Sequence, residues 1–202
     1  MEFSPEEYHV QEGGRKPSNA GHQLSNNKYV CDGQGKAKGL QFSLYPPRFW
    51  DEKPGDRPNV VRKWEGEMPS GVRAMVMIQV TESSGLLAAF SRRDLVEALA
   101  DEGVVMELAQ MQIEELVAEG KEAVLMSASP TMLEGDPGFM MDYSIVAKRL
   151  GMEMTLYLRK YQIYTQGYMF HVQFGFGNES ELQQHEMLMF SMMNSVVFPG
   201  KW

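Results

Sequence analysis

The chain has 202 residues, of which 43% are apolar and 23% charged, with a net charge of −8 and an isoelectric point near 5.1. These values are typical of one globular domain that buries its own core without disulfides or a structural metal. The acidic balance argues against a general nucleic-acid binder and against adhesion to anionic membranes, because both need a basic surface. No run of 18 apolar residues is present, so the sequence predicts no membrane span.

The first 37 residues are rich in Gly, Asn and Ser and show no hydrophobic period. We therefore predict a flexible N-terminal arm over residues 1–37 and a single domain over residues 38–202. The single cysteine, Cys31, has no partner for an internal disulfide and no metal-ligand spacing around it. It is either a small residue in a flexible segment or a free thiol that reacts or pairs between molecules.

Apolar and polar residues alternate in the first part of the predicted domain. Residues 40–44 form a short strand that Pro46-Pro47 ends, and residues 48–58 are a loop that carries Phe49 and Trp50. Two further strands are predicted at 60–65 and 72–80, the second from a clean alternation of Val, Ala and Ile.

Helical signals follow. Ser91 with Asp94 forms a capping box at the start of one helix, Gly103 breaks or bends it, and a second helix ends before Gly120. Near the end of the chain, Asn178 caps a final helix whose apolar stripe is spaced by three and four residues.

Between the helices the hydrophobic period changes to two. Four strands are predicted at 123–133, 139–147, 152–165 and 168–176, joined by short turns. Short turns require antiparallel pairing, because parallel strands need long crossovers. The predicted fold class is therefore α+β, an antiparallel sheet of about six to seven strands with a C-terminal meander, sandwiched by helices.

Two segments carry a resemblance to a known superfamily. The strand, proline turn and aromatic-Trp pair of residues 40–50 (LQFSLYPPRFW) and the tail of residues 193–198 (MNSVVF) resemble the PsbP/Mog1/DcrB-like α/β/α sandwich. The resemblance spans residues 38–198 and implies a binding or scaffold role without catalysis or cofactor. Its bacterial envelope members are the nearest group, which implies a periplasmic or extracellular location with the arm as a tether. Many envelope members are lipoproteins, but no lipobox surrounds Cys31. The location is therefore left open, and a cytoplasmic protein is the second possibility.

An aromatic and basic strip is the predicted contact surface for a protein partner of unknown identity. Tyr157, Arg159 and Tyr161 share one strand face by period two, and Tyr164 and Trp50 complete the set. The strip is a recognition platform if helices leave that face open; otherwise it is cross-strand aromatic pairing beneath a cover.

A metal site is the alternative. If the last helix covers the face that carries His171, then His171 and His185 meet and, with Glu181 or Glu186, form a zinc site or the centre of a metal-assisted hydrolase. The 17 methionines include paired clusters that suit copper(I), although they follow the strand and helix periods as core residues do. No Ser-hydrolase elbow or nucleotide-binding loop is present.

Overall fold

The computed structural model describes residues 23–68, 71, 73–83, 90–149 and 152–200. Along these residues the order is five strands, two α-helices, four strands and two α-helices. The strands are β1 (Tyr29–Cys31), β2 (Phe42–Leu44), β3 (Asp51–Pro54), β4 (Val60–Glu67), β5 (Arg73–Glu82), β6 (Ala123–Leu133), β7 (Asp136–Arg149), β8 (Met152–Thr165) and β9 (Tyr168–Phe176). The helices are α1 (Arg92–Leu99), α2 (Glu102–Ala118), α3 (Glu179–Gln184) and α4 (Glu186–Asn194).

Strands β3 to β9 form one sheet in the order β3-β4-β5-β9-β8-β7-β6, and every neighbouring pair is antiparallel. Strands β1 and β2 form a separate two-stranded ladder. Ser43 in β2 also exchanges two backbone hydrogen bonds with Val197 near the end of the chain.

The sheet has two faces with separate cores. On the first face, α3, α4, β1 and β2 pack over strands β5, β9 and β8, with Phe170 and Phe174 at the centre. On the second face, α1 and α2 pack over β6, β7 and β8, with Phe139 and Met141 beneath them. Side chains alternate between the faces along each strand, so the register decides which core each residue joins.

The predicted fold class is confirmed: the sheet is antiparallel, has seven strands and carries helices on both faces. Ser91 and Asp94 form the predicted capping box, and the Asn178 side chain accepts a hydrogen bond from the Glu181 N–H. The predicted final helix is broken in two at His185, whose ring Nδ1 lies 2.8 Å from the Glu181 carbonyl oxygen.

Part of the predicted arm belongs to the fold. Residues 29–31 form β1, and residues 35–37 form a short 3₁₀ turn that ends in the fully buried Ala37. Cys31 therefore lies in a strand rather than in a flexible segment. Its side chain is buried, and burial raises the pKa of the thiol, which opposes the reactive-thiol alternative. Residues 1–22 lie outside the described residues.

Candidate functional site

The predicted aromatic and basic strip is present as a shared face but not as an open surface. Tyr157, Arg159 and Tyr161 lie on the first face of β8, as their period predicts, yet Arg159 and Tyr161 are each 7% exposed. Tyr164 lies on the second face and is also buried, because it is an odd number of residues away from the other three. At these residues α3 and α4 cover that part of the sheet, and partner binding by the strip stays a prediction.

Arg159 has a structural partner that the period of its strand does not predict. Its Nε and Nη2 atoms each lie 2.7 Å from an Asp142 carboxylate oxygen, on the neighbouring strand β7. Nη1 reaches Glu186 on α4 at 3.2 Å. The bidentate hydrogen bond with Asp142 raises the pKa of Arg159 although burial opposes it. The guanidinium therefore joins the sheet to α4.

The two histidines of the predicted metal site lie on opposite faces. His171 pairs across the second face with Gln79 and Gln162, whereas His185 stacks near Phe176 in the first core, 5.3 Å between ring centroids. The condition for a shared site is therefore not met. Among the described residues, no group of three His, Cys, Asp or Glu side chains is arranged to hold a metal.

The methionine clusters divide between core and surface. Met189, Met192 and Met193 are buried in the first core, where flexible thioethers fill irregular space beneath α4. Met152 and Met187 are exposed on different elements. This distribution favours the core interpretation of the buried methionines over copper handling.

Trp50 lies at a different kind of site. It directly precedes β3, and the register Asp51–Glu65 places it opposite Gly66 on β4. A Cβ atom on Gly66 would lie 2.5 Å from the indole ring, so only glycine admits the ring there. Trp50 is 9% exposed and anchors the loop before it.

Phe49, the residue directly before Trp50, is exposed to solvent next to this buried ring. It is 72% exposed and has a φ of 68°. A bulky residue in the left-handed region is an outlier that costs about 1–2 kcal/mol. The Arg48 guanidinium lies 4.7 Å from the centre of its ring. The molecule therefore holds an apolar ring in water in a strained backbone conformation.

The loop is also fixed from its other side. Ser25 N–H donates to the Pro46 carbonyl and Arg48 N–H donates to the Gln23 carbonyl, both at 2.7 Å. Residues 23–25 thus act as a short strap across Pro46 to Arg48. Because both ends of the loop are held, the position of Phe49 is preorganised.

A cavity of about 260 Å³ opens beside this ring. The Tyr29 ring forms part of its wall and meets Trp64 edge-on, with centroids 5.3 Å apart. Lys28 and Glu52 are its charged lining residues. The lining is aromatic, proline and aliphatic for the most part: Ser25, Asn27, Lys28, Tyr29, Val30, Pro46, Pro47, Phe49, Trp50, Glu52 and Trp64.

Arg62 lies next to this cavity. Its guanidinium stacks 5.4 Å from the Tyr29 ring centre, Nε approaches the Tyr29 hydroxyl at 3.4 Å, and Glu52 lies 3.4 Å away. The Tyr29 hydroxyl raises the pKa of Arg62, so the charge persists. Lys28 lines the cavity and Arg48 lies over the Phe49 ring, whereas the charge of Arg62 is paired with Glu52.

Sequence reasoning found Trp50 and missed its neighbours. Tyr29 and Val30 were placed in the arm, and Phe49 was given no role of its own. The signals were the proline pair before Phe49-Trp50 and the glycine in the middle of β4, which marks a close approach in a strand.

No protein-family model matches the chain, and no curated protein sequence matches it. Its structure is similar to the solution structure of cyanobacterial PsbP (CyanoP) from Synechocystis sp. PCC 6803, with a TM-score of 0.58 and 12% identity over 96% of this chain and 99% of that chain. The fold is PsbP/Mog1-like.

A second solved structure supports the PsbP/Mog1-like fold. LpqN of Mycobacterium tuberculosis matches with a TM-score of 0.50 and 13% identity over 85% of this chain and 90% of that chain. At these identities the likeness concerns the fold alone. No described helix of this PsbP/Mog1-like chain has the length and apolar character needed to cross a membrane.

Proposed function

We propose that the protein is a non-catalytic binding domain that recognises an extended segment of a partner protein at the cavity beside Phe49. The observation that carries the proposal is the display of Phe49: an exposed ring held at a φ of 68° by a loop that is fixed on both sides. Backbone strain persists only where the surrounding structure imposes it, and it concentrates at binding sites.

Holding Phe49 in this position costs free energy in the isolated protein. A backbone penalty of about 1–2 kcal/mol is added to the exposure of an aromatic ring, which gains free energy when it is buried. An asparagine or glycine at position 49 would accept the same backbone without that penalty. A partner that covers the ring would offset the cost, as aromatic anchors do at the centre of interfaces.

The chemistry of the site defines the partner segment. Tyr29, Pro46 and Trp50 give the cavity walls on which an apolar side chain packs, while polar groups supply the larger part of its exposed lining. Lys28 in the lining and Arg48 over the Phe49 ring favour a carboxylate next to that side chain. The expected ligand is a peptide with one apolar anchor flanked by Asp or Glu.

A displayed peptide library tests this proposal. Peptides selected on the wild-type protein are measured against Phe49→Asn by calorimetry, and loss of about 2 kcal/mol of binding free energy is expected for an anchor residue. We choose Asn because it tolerates the left-handed backbone region, so the loop of the variant should keep its conformation.

Phe190→Ala is the matched control, since Phe190 is another exposed phenylalanine, 56% exposed on α4. Selected peptides should bind Phe190→Ala with wild-type affinity and should weaken as salt increases. Peptides that bind Phe49→Asn equally well, or a selection that yields no acidic-apolar sequence, would contradict the proposal.

An envelope location is proposed with it. It is supported by the fold shared with LpqN, which is involved in cell envelope biogenesis of Mycobacterium tuberculosis, and by the resemblance of the sequence to envelope proteins. Fractionation of cells that express the native gene tests it, with recovery in the cytoplasm as the contrary outcome.

A further inference from the structure

Lys160 is a half-buried cation on the second face of the sheet, far along the sheet order from the Phe49 site. Its Nζ donates to the Gln112 side-chain oxygen on α2 at 2.8 Å. Over the described ranges, no carboxylate forms an ion pair with it. A lysine removed from water without a counter-charge is uncommon, because buried charges are normally paired.

Only amide and hydroxyl groups continue from this amine. Gln112 Nε2 donates to the Gln162 oxygen at 3.2 Å, and Gln162 Nε2 donates in turn to the Tyr164 hydroxyl. In each hydrogen bond of this series, the donor is the group nearer to Lys160. An amide oxygen therefore accepts a hydrogen bond from the ammonium, and no carboxylate of the described residues is in ion-pair contact with it.

A neutral imidazole lies on the next row of the same face. His171 pairs across the sheet with Gln162, directly beside the Lys160–Gln173 pair. Its Nε2 lies 3.3 Å from the Thr81 hydroxyl, and Nδ1 is buried without a partner among the described residues. Burial, and after it the charge of Lys160, lower the pKa of His171 well below its ordinary value.

Burial acts on the amine in the same sense. It lowers the pKa of Lys160 to about 8, although the charge of Glu115 on α2 opposes the shift. An amine with a pKa of about 8 is roughly 20% unprotonated at pH 7.4, whereas an ordinary lysine with a pKa of about 10.4 is roughly 0.1% unprotonated. Lysines in such surroundings serve as Schiff-base nucleophiles in enzymes.

We propose that Lys160 is a covalent binding site for small aldehydes, which it captures as a Schiff base. The amine nitrogen attacks the carbonyl carbon and forms the new C–N bond. The carbonyl oxygen leaves as water with the two hydrogens of the neutral amine. Hydride from added cyanoborohydride then adds to the carbon of the C=N bond and a proton from water adds to the nitrogen, which leaves a permanent secondary amine. The site does not depend on peptide binding at Phe49.

The test uses the native full chain, glycolaldehyde and cyanoborohydride at limiting reagent, with peptide mapping by mass spectrometry. Lys160 should be labelled about tenfold faster than Lys121 and Lys148, which are exposed and paired with carboxylates. This figure allows for the lower intrinsic nucleophilicity that accompanies a lower pKa. The preference should disappear in denaturant, because it comes from the folded surroundings.

The pH profile supplies a second readout. The labelling rate of Lys160 should level off above pH 8, while the rates of Lys121 and Lys148 still rise toward pH 10. Glu115→Gln should move the midpoint for Lys160 downward, whereas Glu114→Gln, the neighbouring exposed glutamate on α2, should not. Labelling of Lys160 at or below the rate of the two exposed lysines across this pH range would overturn the proposal, as would a preference that persists in denaturant.

Discussion

The two faces of the sheet are both covered by helices, but the side chains that fill the two cores differ in polarity. The first core is almost wholly apolar and rich in aromatic rings that meet edge-on, such as Phe170 with Phe42 and Phe198. The second core is smaller and ends at a row of amides, one lysine and one histidine beneath α2. Both cores share the strands β8 and β9, so the difference lies in the side chains and not in the backbone.

The difference separates stability from chemistry. Apolar burial and edge-on aromatic contacts stabilise a fold in every protonation state. A row of amides with one cation outside any ion pair contributes less to stability and leaves a group that titrates near neutral pH. The first face therefore fixes the architecture, whereas the second face holds the reactive groups.

The largest expected effect is at the centre of the first core. Phe170→Ala should lower the free energy of unfolding by about 3–5 kcal/mol, because the ring bridges β2 and the C-terminal tail. Urea unfolding measures the loss. Gln162→Leu, on the second face of the neighbouring strand, is the comparison and should cost far less. Equal losses would remove the distinction between the faces.

A comparable effect is expected at the ion pair of the first face. Asp142→Asn leaves the Arg159 charge buried without its bidentate partner and should cost about 3–5 kcal/mol of unfolding free energy. Glu186→Gln removes the exposed partner of the same guanidinium and should cost at most about 1 kcal/mol. A reversed order would show that Glu186 is the main partner.

The second face should respond in the opposite direction. Lys160→Met should raise the free energy of unfolding at pH 7 by about 1–2 kcal/mol, because it removes an unpaired charge from a half-buried position. The pKa is lower in the folded state than in the unfolded state, so the wild type gains stability as pH rises from about 8 to about 10.4. The advantage of the variant should therefore shrink over that range, and a constant difference between pH 7 and pH 10 would refute the shift.

The smallest effect concerns acid. The pKa of His171 is lowered by burial, so below its ordinary value of about 6.5 the unfolded chain binds a proton that the folded chain does not. As the pH is lowered through this range, the free energy of unfolding of the wild type should decrease by up to about 1.4 kcal/mol per pH unit. His171→Gln should show a shallower slope between pH 6.5 and pH 4.5, whatever its absolute stability. Parallel slopes would place the acid sensitivity elsewhere.

Much of the fold followed from local patterns. Alternation located β5 and β9, and Gln166-Gly167 marked the turn between β8 and β9, where both residues have positive φ. Strand β3 was predicted as loop, because its sequence DEKP has little β propensity. It is a strand because β4 offers it an edge, which is a tertiary effect.

The site was predictable only in part. Periodicity places Tyr157, Arg159 and Tyr161 on one face, but it does not say what covers that face. Asp142 lies 17 residues before Arg159, and only the β7–β8 register brings the two together. The display of Phe49 depends on a backbone angle and on Gly66, 17 residues further along the chain, neither of which local propensity reveals.

The pairing of Ser43 with Val197 has a consequence for synthesis on the ribosome. The first core needs Phe42 from early in the chain and Phe198, whose ring lies 5.2 Å from that of Phe170. No nascent chain can close this core until residue 198 has left the exit tunnel. The strands made earlier must therefore wait with exposed apolar surface, which is the condition under which chaperones bind.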